Sequence, residues 1–570
     1  MLVLAAGEGG LTSLDHLVIG VYLVMMLGMG FWIARKQHST DDFFVGGRNL
    51  PAWAVGISLF ASLLSTITYL GMPGEMFRTG LGFLTRQLGV PLVLVVVWFV
   101  WIPFFMRLKL TSAYEYLECR FNYPTRVLAA VLCLLLLFGW MAVVVLTASK
   151  AMAEITNLNL AWFFGTNGEY RDADMHVIIL SIGLFSVLYT TLGGIRAVVW
   201  TDVIQCLILL VGAVFTMGVI SWMTDSSLGD WLRVSQEYKH EKVEWFSLDV
   251  TNRSTAFAIS ASMFFWFICT HGANQVALQR YFSVKDVWSA RRSYLVSAVT
   301  SFIVAMILAG VGISLMYFIK QYDLPAAAML DSADEKIRNE AQDNIFPQFI
   351  SIYLPSGLRG MVVAALFAAA MSTIDSGANS VSTILTVDFF RRLDPKGSTV
   401  ARELRRARMI TAGMGVIIIV VSIFLYHLSK GTNIIDLCQK GFNCFLGPLG
   451  AMFVLALFSK RATARSVIPA VIIGEVFGIC SSYSEKVTGF LAQMLGGQLD
   501  LFGYSFQLSS VSYSTHLVIP GSWLVTIVAG LIFNVLLNTR ATDEQQQWMW
   551  LPVVRSRRLP GELETTDEHG

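Results

Sequence analysis

The segment AAAMSTIDSGANSVST, residues 368–383, places polar side chains inside a long apolar stretch of the chain. Four of them recur at i, i+4, i+7 and i+11 and lie along one face of a helix: Ser372, Ser376, Asn379 and Thr383. Serine and threonine in such a helix also bond to their own i−4 carbonyl oxygens, which is the structural alternative. The hydroxyl stripe alone therefore leaves helix packing and ligand binding both open.

The carboxylate of Asp375 lies at the edge of this stripe, one turn from Ser372. An aspartate at the middle of a membrane helix costs about 2.5–3.5 kcal/mol on insertion scales, so it needs a cation, a partner or a proton. Hydroxyl and carboxylate oxygens are hard ligands that suit a small hard cation. The stripe is therefore a candidate sodium site, with a proton as the alternative.

A second acid, Asp202, lies in the apolar segment GGIRAVVWTDVIQ, residues 193–205. An ionisable residue within a membrane helix indicates an ion or substrate pathway by default. The structural alternative is that Asp202 pairs with Arg196 or caps a helix end.

Two further apolar segments are interrupted, SLFASLLSTITYLGMPG at residues 58–74 and ICTHGANQ at residues 268–275. The interrupting residues are Gly71, Pro73 and Gly74 in the first and His271, Gly272 and Asn274 in the second. A helix unwound within the membrane exposes backbone carbonyls that bind ions, and two such helices in corresponding positions are typical of inverted-repeat transporters. The spacing predicts two repeats of five spans each.

Composition places these segments in a polytopic membrane protein. The chain of 570 residues is 55% hydrophobic and 14% charged, with a mean hydropathy of +0.61, whereas soluble domains are about 25% charged. We expect a multi-pass protein of the plasma (inner) membrane, surrounded by lipid. The net charge of +2 gives no reason to expect a nucleic-acid partner. The sequence shows no paired carboxylates, metal cluster or nucleophile elbow, so we do not expect an enzyme.

Apolar stretches of about 20 residues predict about 13 transmembrane helices. They span 14–34, 53–73, 83–106, 127–155, 175–194, 197–222, 254–278, 293–319, 346–390, 409–428, 434–458, 465–483 and 517–538. The ninth is too long for one span, and we expect an interfacial helix followed by a crossing from about Gly360. Lys and Arg cluster after the first, third, seventh, ninth and eleventh spans, which places the N-terminus outside and the C-terminus inside.

The predicted organisation has five parts. They are an extra N-terminal helix and loop (1–50), a first repeat (51–225), a second repeat with outer loops (226–460), two C-terminal helices (461–540) and a disordered cytoplasmic tail (541–570).

Five segments together resemble the sodium/solute symporter family, and most of all its bacterial sialic acid symporters. They are TDDFFVGGRNLPAW, IPFFMRLKLTSAYEYLECRF, GGIRAVVWTDVIQ, NQVALQRYF and AALFAAAMSTIDSGANSVST. The resemblance runs from about residue 14 to residue 540. It implies an all-α LeuT-type fold with a 5+5 inverted repeat, and sodium-coupled uptake by alternating access. We expect a functional monomer.

The resemblance also implies ion sites. The conserved sodium site of the family would be formed by the backbone carbonyls of Ala61, Leu64 and Ala369 and the hydroxyls of Ser372 and Thr373. A second sodium, bound by some members, would lie at Asp202, Ser372, Asp375 and Ser376. At Asp375 the sialic acid symporters have a hydroxyl, so the extra charge here strengthens a cation site or binds a proton.

Positions that face substrate in the family match Ser65, Thr68, Phe83, Gln87, Trp140, His271 and Asn443, between the two broken helices. Trp140 stands where sialic acid symporters have an arginine that pairs with the substrate carboxylate. Its indole suits an apolar or sugar face instead, which leaves His271 and Lys150 as partners for an anion. The structural alternatives are packing or lipid contact for Trp140, a structural role for His271 and helix–helix bonding for Gln87.

The sequence therefore predicts a sodium-coupled symporter that imports a small polar organic solute, namely a sugar, polyol or sugar acid. The alternative substrate is a monocarboxylate or another organic anion such as sialic acid. A transporter-like sensor is a third possibility, although the segment after Thr539 is too short for a signalling domain.

Overall fold

The computed structural model describes residues 10–35, 39–156, 171–238, 240, 242–252, 254–332, 334–393, 400–428, 437–438, 441–494, 498–501, 504–507 and 513–556. Most of this part of the chain is helical, as the sequence predicts. The first helices are α1 (Ser13–Ala34), α2 (Thr40–Val45), α3 (Ala52–Leu63), α4 (Thr66–Thr79), α5 (Val90–Val96), α6 (Ile102–Leu108), α7 (Glu115–Arg120), α8 (Tyr123–Thr156), α9 (Arg171–Thr224), α10 (Leu228–Glu237), α11 (Ala256–Ala273) and α12 (Gln275–Phe282).

The later helices are α13 (Val287–Phe318), α14 (Glu335–Tyr353), α15 (Leu358–Ile384), α16 (Arg391–Leu393), α17 (Val400–Leu428), α18 (Leu446–Phe458), α19 (Ala464–Ser482), α20 (Ser484–Met494), α21 (Val518–Leu536), α22 (Asp543–Gln547) and α23 (Trp550–Arg555). Turns of π-helix, Val97–Trp101 and Leu385–Phe390, join α5 to α6 and α15 to α16. Short 3₁₀ turns occupy Gly46–Arg48, Gly80–Gly89, Ala327–Met329, Asn443–Phe445 and Thr515–Leu517.

The prediction of an all-α fold missed one hairpin. Strands β1 (Gln498–Leu501) and β2 (Tyr504–Gln507) pair antiparallel, with Gln498 opposite Gln507. Strands of four residues are too short for alternating hydrophobicity to identify them.

Ten helical segments among the described residues are long and apolar enough to cross a membrane. Three shorter apolar helices, Ala52–Leu63, Asp174–Leu188 and Asn443–Phe458, lie where three more spans were predicted. The predicted division of the ninth stretch is also found, because α14 ends at Tyr353 and α15 begins at Leu358. The total of about 13 crossings and the orientation of the termini stay predictions.

The first helix break lies earlier than the sequence suggested. Leu64 and Ser65 are extended, whereas Gly71, Pro73 and Gly74 lie inside helix α4. The glycine serves close packing instead of unwinding the helix: a side chain added at Gly74 would come within 3.0 Å of the carbonyl oxygen of Gln342 on α14. Small residues commonly have this role at helix interfaces in membranes.

The second break lies at Asn274 and does not include His271 or Gly272, which are helical residues of α11. Asn274 is extended (φ −84°, ψ 124°), and its side-chain oxygen accepts a hydrogen bond from the backbone N–H of Val276 at 2.9 Å. This is the bonding of an N-cap residue, so Asn274 starts α12. Gly272 packs against the ring of Trp101.

The fifth and sixth predicted spans form one helical element, α9, that bends at Gly194. Gly194 has φ 53° and ψ −172°, a conformation open almost only to glycine. The bend therefore separates the two spans without a connecting loop.

Two compact units divide the chain. The first unit comprises Met1–Phe83, Leu137–Glu241 and Gln279–Leu437, and the second unit comprises Leu84–Leu136, Lys242–Leu278 and Cys438–Gly570. Within the first unit, α9 packs against α1, α3, α15 and α17, and α13 packs against α3 and α4. Within the second unit, α21 packs against α18 and α19, and α11 packs against α5 and α18. Each unit takes segments from both predicted repeats, 51–225 and 226–460, whose boundaries stay predictions.

The predicted disordered tail, 541–570, is wrong for its first half. Helices α22 and α23 occupy it, and the buried Val553 anchors the second of them. The indole N–H of Trp550 donates to the carbonyl oxygen of Val100 at 2.9 Å, and Arg107 donates to the carbonyl oxygen of Val553 at 3.2 Å. Residues 557–570 lie outside the described residues.

Candidate functional site

The break between α3 and α4 leaves backbone oxygens without helical donors. Leu64 (φ −87°, ψ 114°) and Ser65 (φ −112°, ψ 172°) are extended, so the last carbonyls of α3 cannot continue the helical ladder. Those of Ala61 and Leu64 belong to this turn, and both residues are buried. The unwound segment therefore supplies the carbonyl oxygens that the sequence analysis required, at a position fixed by the end of α3.

Helix α15 meets this turn with two hydroxyls. The hydroxyl of Ser372 donates to the carbonyl oxygen of Ala61 at 3.0 Å and lies 3.2 Å from that of Ala369. The hydroxyl of Thr373 donates to the carbonyl oxygen of Ala369 at 3.4 Å. All of these residues are buried. The structure thus brings together Ala61, Ala369, Ser372 and Thr373, with Leu64 at the adjacent break.

The chemistry of this oxygen group suits a monovalent hard cation. A hydroxyl whose proton points away offers its two lone pairs to a cation. A carbonyl oxygen can also coordinate a cation instead of accepting a hydrogen bond. Oxygen ligands of this kind bind hard cations. The five groups are all neutral, so a monovalent ion leaves less uncompensated charge in the membrane interior than a divalent ion would.

A buried ion pair lies next to this oxygen group. The guanidinium of Arg280 on α12 is 3.3 Å from the carboxylate of Asp202 on α9, and both side chains are fully buried. Arg280 also donates to the hydroxyl of Ser376 and, at 3.2 Å, to that of Ser58. Ser58 in turn donates to Asp202 at 2.6 Å. The pair therefore joins four helices of the first unit, α3, α9, α12 and α15.

Asp202 has a different partner from the one the sequence suggested. The sequence suggested an ion pair with Arg196 or a helix cap, and the structure pairs Asp202 with Arg280 instead. The cation beside Asp202 and Ser376 is therefore a guanidinium, with Ser62 completing the cluster by hydrogen bonds to Asp202 (3.2 Å) and Ser376 (2.8 Å). A second sodium at Asp202, Ser372, Asp375 and Ser376 stays a prediction, and at this position it competes with the ion pair.

Asp375 is fully buried on α15 and faces α9. The hydroxyl of Thr190 shares its one proton between this carboxylate and the carbonyl oxygen of Ser186. A hydrogen bond from a hydroxyl stabilises a buried carboxylate only in part. Asp375 is therefore the member of the stripe with the largest electrostatic demand for a cation or a proton.

The C-terminal part of the stripe is hydrogen-bonded to Gln279 of α12. Its amide N–H donates to the hydroxyl of Thr383 at 2.9 Å, and its oxygen accepts from Ser380 at 3.1 Å. Thr383 also bonds to the i−4 carbonyl of Asn379 at 2.8 Å, which is the structural alternative considered above. The amide of Asn379 is buried without a hydrogen-bond partner among the described residues.

Four of the seven predicted substrate residues belong to the first unit: Ser65, Thr68, Phe83 and Trp140. Ser65 is the buried, extended residue at the break, and Thr68 lies one turn into α4 and is half-buried. Phe83 lies in the 3₁₀ turn and Trp140 on α8, both buried. Lys150, the alternative anion partner on α8, interacts electrostatically with the acids Asp343 and Glu340.

The other three, Gln87, His271 and Asn443, belong to the second unit. His271 is buried and its ring stacks on Phe267, with the centroids 5.7 Å apart and the planes 7° apart. The side-chain oxygen of Asn443 is buried without a hydrogen-bond partner in the described part of the chain. Gln87 is half-buried in the 3₁₀ turn.

Sequence reasoning missed two residues of this site, Gln279 and Arg280. Both lie in NQVALQRYF, which the sequence indicated only as a family motif and as the start of the basic segment after the seventh span. An arginine and a glutamine directly after an apolar span, with an acid on another span, were the available signal, because an intramembrane charge needs a partner.

Comparisons with known proteins find similar chains over most of this one. Residues 43–474 match the model of the sodium:solute symporter family. The sodium/sialic acid symporter SiaT of Proteus mirabilis is 29% identical over 85% of this chain and 92% of its own, and NanT of Aliivibrio fischeri is 30% identical over 81% and 86%. A structure of a Na⁺-coupled sialic acid symporter, substrate-bound and outward-open, has a TM-score of 0.75 at 26% identity, covering 93% of this chain and 99% of that one.

Proposed function

The chain belongs to the sodium:solute symporter family, and we propose that Ala61, Leu64, Ala369, Ser372 and Thr373 bind the sodium ion that drives its transport. It is a multi-pass membrane protein with sodium as its coupling ion. The observation that carries the residue assignment is the 3.0 Å contact between the hydroxyl of Ser372 and the carbonyl oxygen of Ala61, at the end of an interrupted helix. Ion sites in transporters of this architecture use such unwound backbone.

The substrate that we propose is a sugar acid of the sialic acid type, imported together with sodium. Support comes from the two relatives described above, which match most of this chain and are sialic acid symporters, and from the structural neighbour with the same substrate. Ser65, Thr68, Phe83, Gln87, Trp140, His271 and Asn443 are the proposed contacts. His271 is the proposed partner for the carboxylate, because Lys150 already interacts electrostatically with Asp343 and Glu340.

A neutral sugar or polyol is the second candidate, and Trp140 favours it. An arginine binds a carboxylate with two parallel hydrogen bonds, and the indole of Trp140 cannot replace them. Its flat apolar face suits the C–H face of a sugar ring. The two candidates therefore differ in one property, the charge of the solute.

The energetics of coupling relate the charge of the solute to the number of sodium ions that its accumulation requires. At about 100 mV one positive charge moving inward supplies roughly 2.3 kcal/mol, and a tenfold sodium gradient adds about 1.4 kcal/mol. One sodium thus drives accumulation of a neutral solute by a few hundredfold. With a monoanion the electrical part cancels and about tenfold remains. An anionic substrate therefore gains much more from a second cation than a neutral one does.

The test is charge movement by the purified protein in proteoliposomes, in sodium against potassium. The panel contains sialic acid, neutral sugars, inositol, short carboxylates and amino acids. Sodium-dependent uptake of sialic acid, with the charge per solute measured in parallel, is the expected result. A current with neutral sugars or polyols alone would support the second candidate. The absence of both sodium-dependent uptake and current with every sugar and sugar acid would contradict both.

A further inference from the structure

We propose that His176 and His427 form a binding site for a divalent transition-metal ion, with Zn²⁺ as the probe. Their Nε2 atoms lie 3.2 Å apart. Both residues belong to the first unit, His176 near the start of α9 and His427 next to the last residue of α17. The proposal does not depend on the sodium site or on the substrate.

The two helices hold the rings in place because they pack antiparallel along a seam. Gly183 of α9 packs on Ile419 of α17, and Gly415 of α17 packs on Val187 of α9. A side chain at either glycine would overlap its neighbour, so the glycines allow the helices to approach closely. The pair His176–His427 continues this seam about two turns further along. The imidazoles are therefore positioned by helix packing and not by a loop.

The distance between the nitrogens fits two ligands of one metal ion. Zinc binds histidine nitrogen at about 2.0–2.1 Å in tetrahedral geometry, which places two ligand nitrogens about 3.3 Å apart. The observed 3.2 Å is close to that separation, and the ring centroids are 5.3 Å apart with the planes 64° apart. Without a metal, the same distance is a hydrogen bond in which one neutral ring donates to the other. A metal ion replaces that shared proton with little movement of either ring.

The surroundings favour a cation that exchanges with solvent. His427 is exposed and His176 half-buried, and both lie within one residue of the end of a predicted span (175–194 and 409–428), where water can supply the remaining ligands. His427 lies in the last turn of α17, where the helix dipole favours positive charge. The ring of Tyr426 packs edge-on against both histidines, with centroids 6.1 Å from His176 and 5.1 Å from His427.

Imidazole nitrogen sets the class of ligand. Neutral imidazole prefers zinc, copper and nickel, whereas oxygen ligands prefer sodium, magnesium and calcium. The histidine pair therefore does not compete for the coupling ion. A metal ion bound by the pair links the first turns of α9 to the last turn of α17. A ligand that binds only the folded state stabilises that state by mass action.

The test is a Zn²⁺ titration of the full-length protein, purified in detergent and cleared of metals with a chelator, by isothermal titration calorimetry. Wild type is expected to bind one zinc per chain, and His176→Ala and His427→Ala are each expected to weaken that binding at least tenfold. His16→Ala is the matched control. His16 is exposed on another helix, and its ring nitrogen contacts the carbonyl oxygen of Thr12 at 2.7 Å.

Thermal unfolding provides the second readout and the check on folding. Saturating zinc is expected to raise the unfolding temperature of wild type and of His16→Ala but not of His176→Ala, while all three unfold alike with chelator present. The absence of saturable binding by wild type would overturn the proposal. Undiminished binding by both His176→Ala and His427→Ala would overturn it as well.

Discussion

Arg280 and Asp202 form an ion pair, 3.3 Å apart, in which neither side chain is exposed. The arginine comes directly after an interrupted apolar segment and the aspartate lies in the middle of α9. Ser58, Ser62 and Ser376 complete the hydrogen bonds of the pair. Asp202, which the sequence predicts to be a sodium ligand, is thus paired with a cationic side chain of the protein itself, Arg280.

Breaking this pair is expected to destabilise the protein strongly. Removing one partner of a buried ion pair leaves an uncompensated charge and costs about 3–5 kcal/mol, whereas replacing both is often nearly neutral. We therefore expect Arg280→Met and Asp202→Asn each to lower the unfolding temperature, and the double variant to recover most of the loss. Thermal unfolding followed by tryptophan fluorescence measures this. Additive losses in the double variant would show that the two groups do not interact.

The hydroxyls of Ser372 and Thr373 are expected to be essential for sodium-dependent transport. The Ser372→Ala/Thr373→Ala variant removes two of the five proposed ligands and should abolish sodium activation of uptake while the protein still folds. Ser382→Ala is the matched control, because that buried hydroxyl of the same helix donates to the carbonyl oxygen of Ala407 instead. Uptake in proteoliposomes over a sodium titration, with thermal unfolding alongside, tests this. Unchanged sodium activation in the double variant would exclude the proposed site.

The charge of Asp375 is expected to strengthen sodium binding. One helical turn separates it from Ser372, about 6 Å, and a unit charge at that distance contributes about 2–3 kcal/mol at an effective dielectric constant of 20. Asp375→Asn should therefore raise the sodium concentration for half-maximal transport by at least tenfold. Asp375→Ser should also change the number of sodium ions per solute or the pH dependence of transport.

Two threonines of α9 provide a second test of the role of Asp375 and its matched control. Thr190 donates to Asp375, whereas the hydroxyl of Thr191 donates to the carbonyl oxygen of Val187 in its own helix at 2.7 Å. Thr190→Val should shift the sodium titration in the direction of Asp375→Asn, and Thr191→Val should leave it unchanged. A wild-type titration, ion stoichiometry and pH profile in the Asp375 variants would assign that residue a structural role.

Glu475 is expected to behave in the opposite way to Asp202. It is a buried carboxylate in the middle of α19, and neither oxygen has a hydrogen-bond partner among the described residues. An ionisable group in a membrane helix costs free energy that no partner offsets here. Glu475→Gln should therefore keep or raise the unfolding temperature, where Asp202→Asn lowers it. A large decrease in Glu475→Gln would reveal a stabilising contact.

Periodicity and composition predicted the helices well, because a membrane allows few alternatives to long apolar helices. The sequence misplaced the first helix break and made the second too wide, for a physical reason. Glycine and proline break helices by propensity, but Gly74 and Gly272 lie in helices packed closely against Gln342 and Trp101. The breaks occur at Ser65 and Asn274, which occupy the N-cap positions of α4 and α12, and only Asn274 caps its helix with a side-chain hydrogen bond. Tertiary packing decided between the positions.

The sequence named the oxygens of the proposed ion site but not the arginine that lies beside it. Helical spacing places Ser372 on the polar stripe, but the assignment of Ser372 and Thr373 to a sodium site came from the resemblance to the symporter family and stays a prediction. The pairing of Asp202 with Arg280 joins residues 78 positions apart, and no local pattern specifies it. The nearer Arg196 was the natural choice from sequence alone, but it lies close to the bend at Gly194.

The side chain of Trp140 is expected to determine whether an anionic or a neutral solute is preferred. Trp140→Arg supplies the guanidinium that pairs with a carboxylate in two hydrogen bonds, at the position where the resembled sialic acid symporters carry arginine. Uptake of sialic acid should therefore improve relative to neutral sugars, because an arginine buried without an anion is unstable and its desolvation cost falls only when the acid binds. Trp140→Phe is the control, since it keeps an aromatic face without adding charge, and its ratio of acid to neutral uptake should stay near that of wild type. Competition between labelled sialic acid and unlabelled sugars in proteoliposomes measures that ratio. A ratio unaffected by Trp140→Arg would place residue 140 away from the solute carboxylate and leave His271 and Lys150 as its candidate partners.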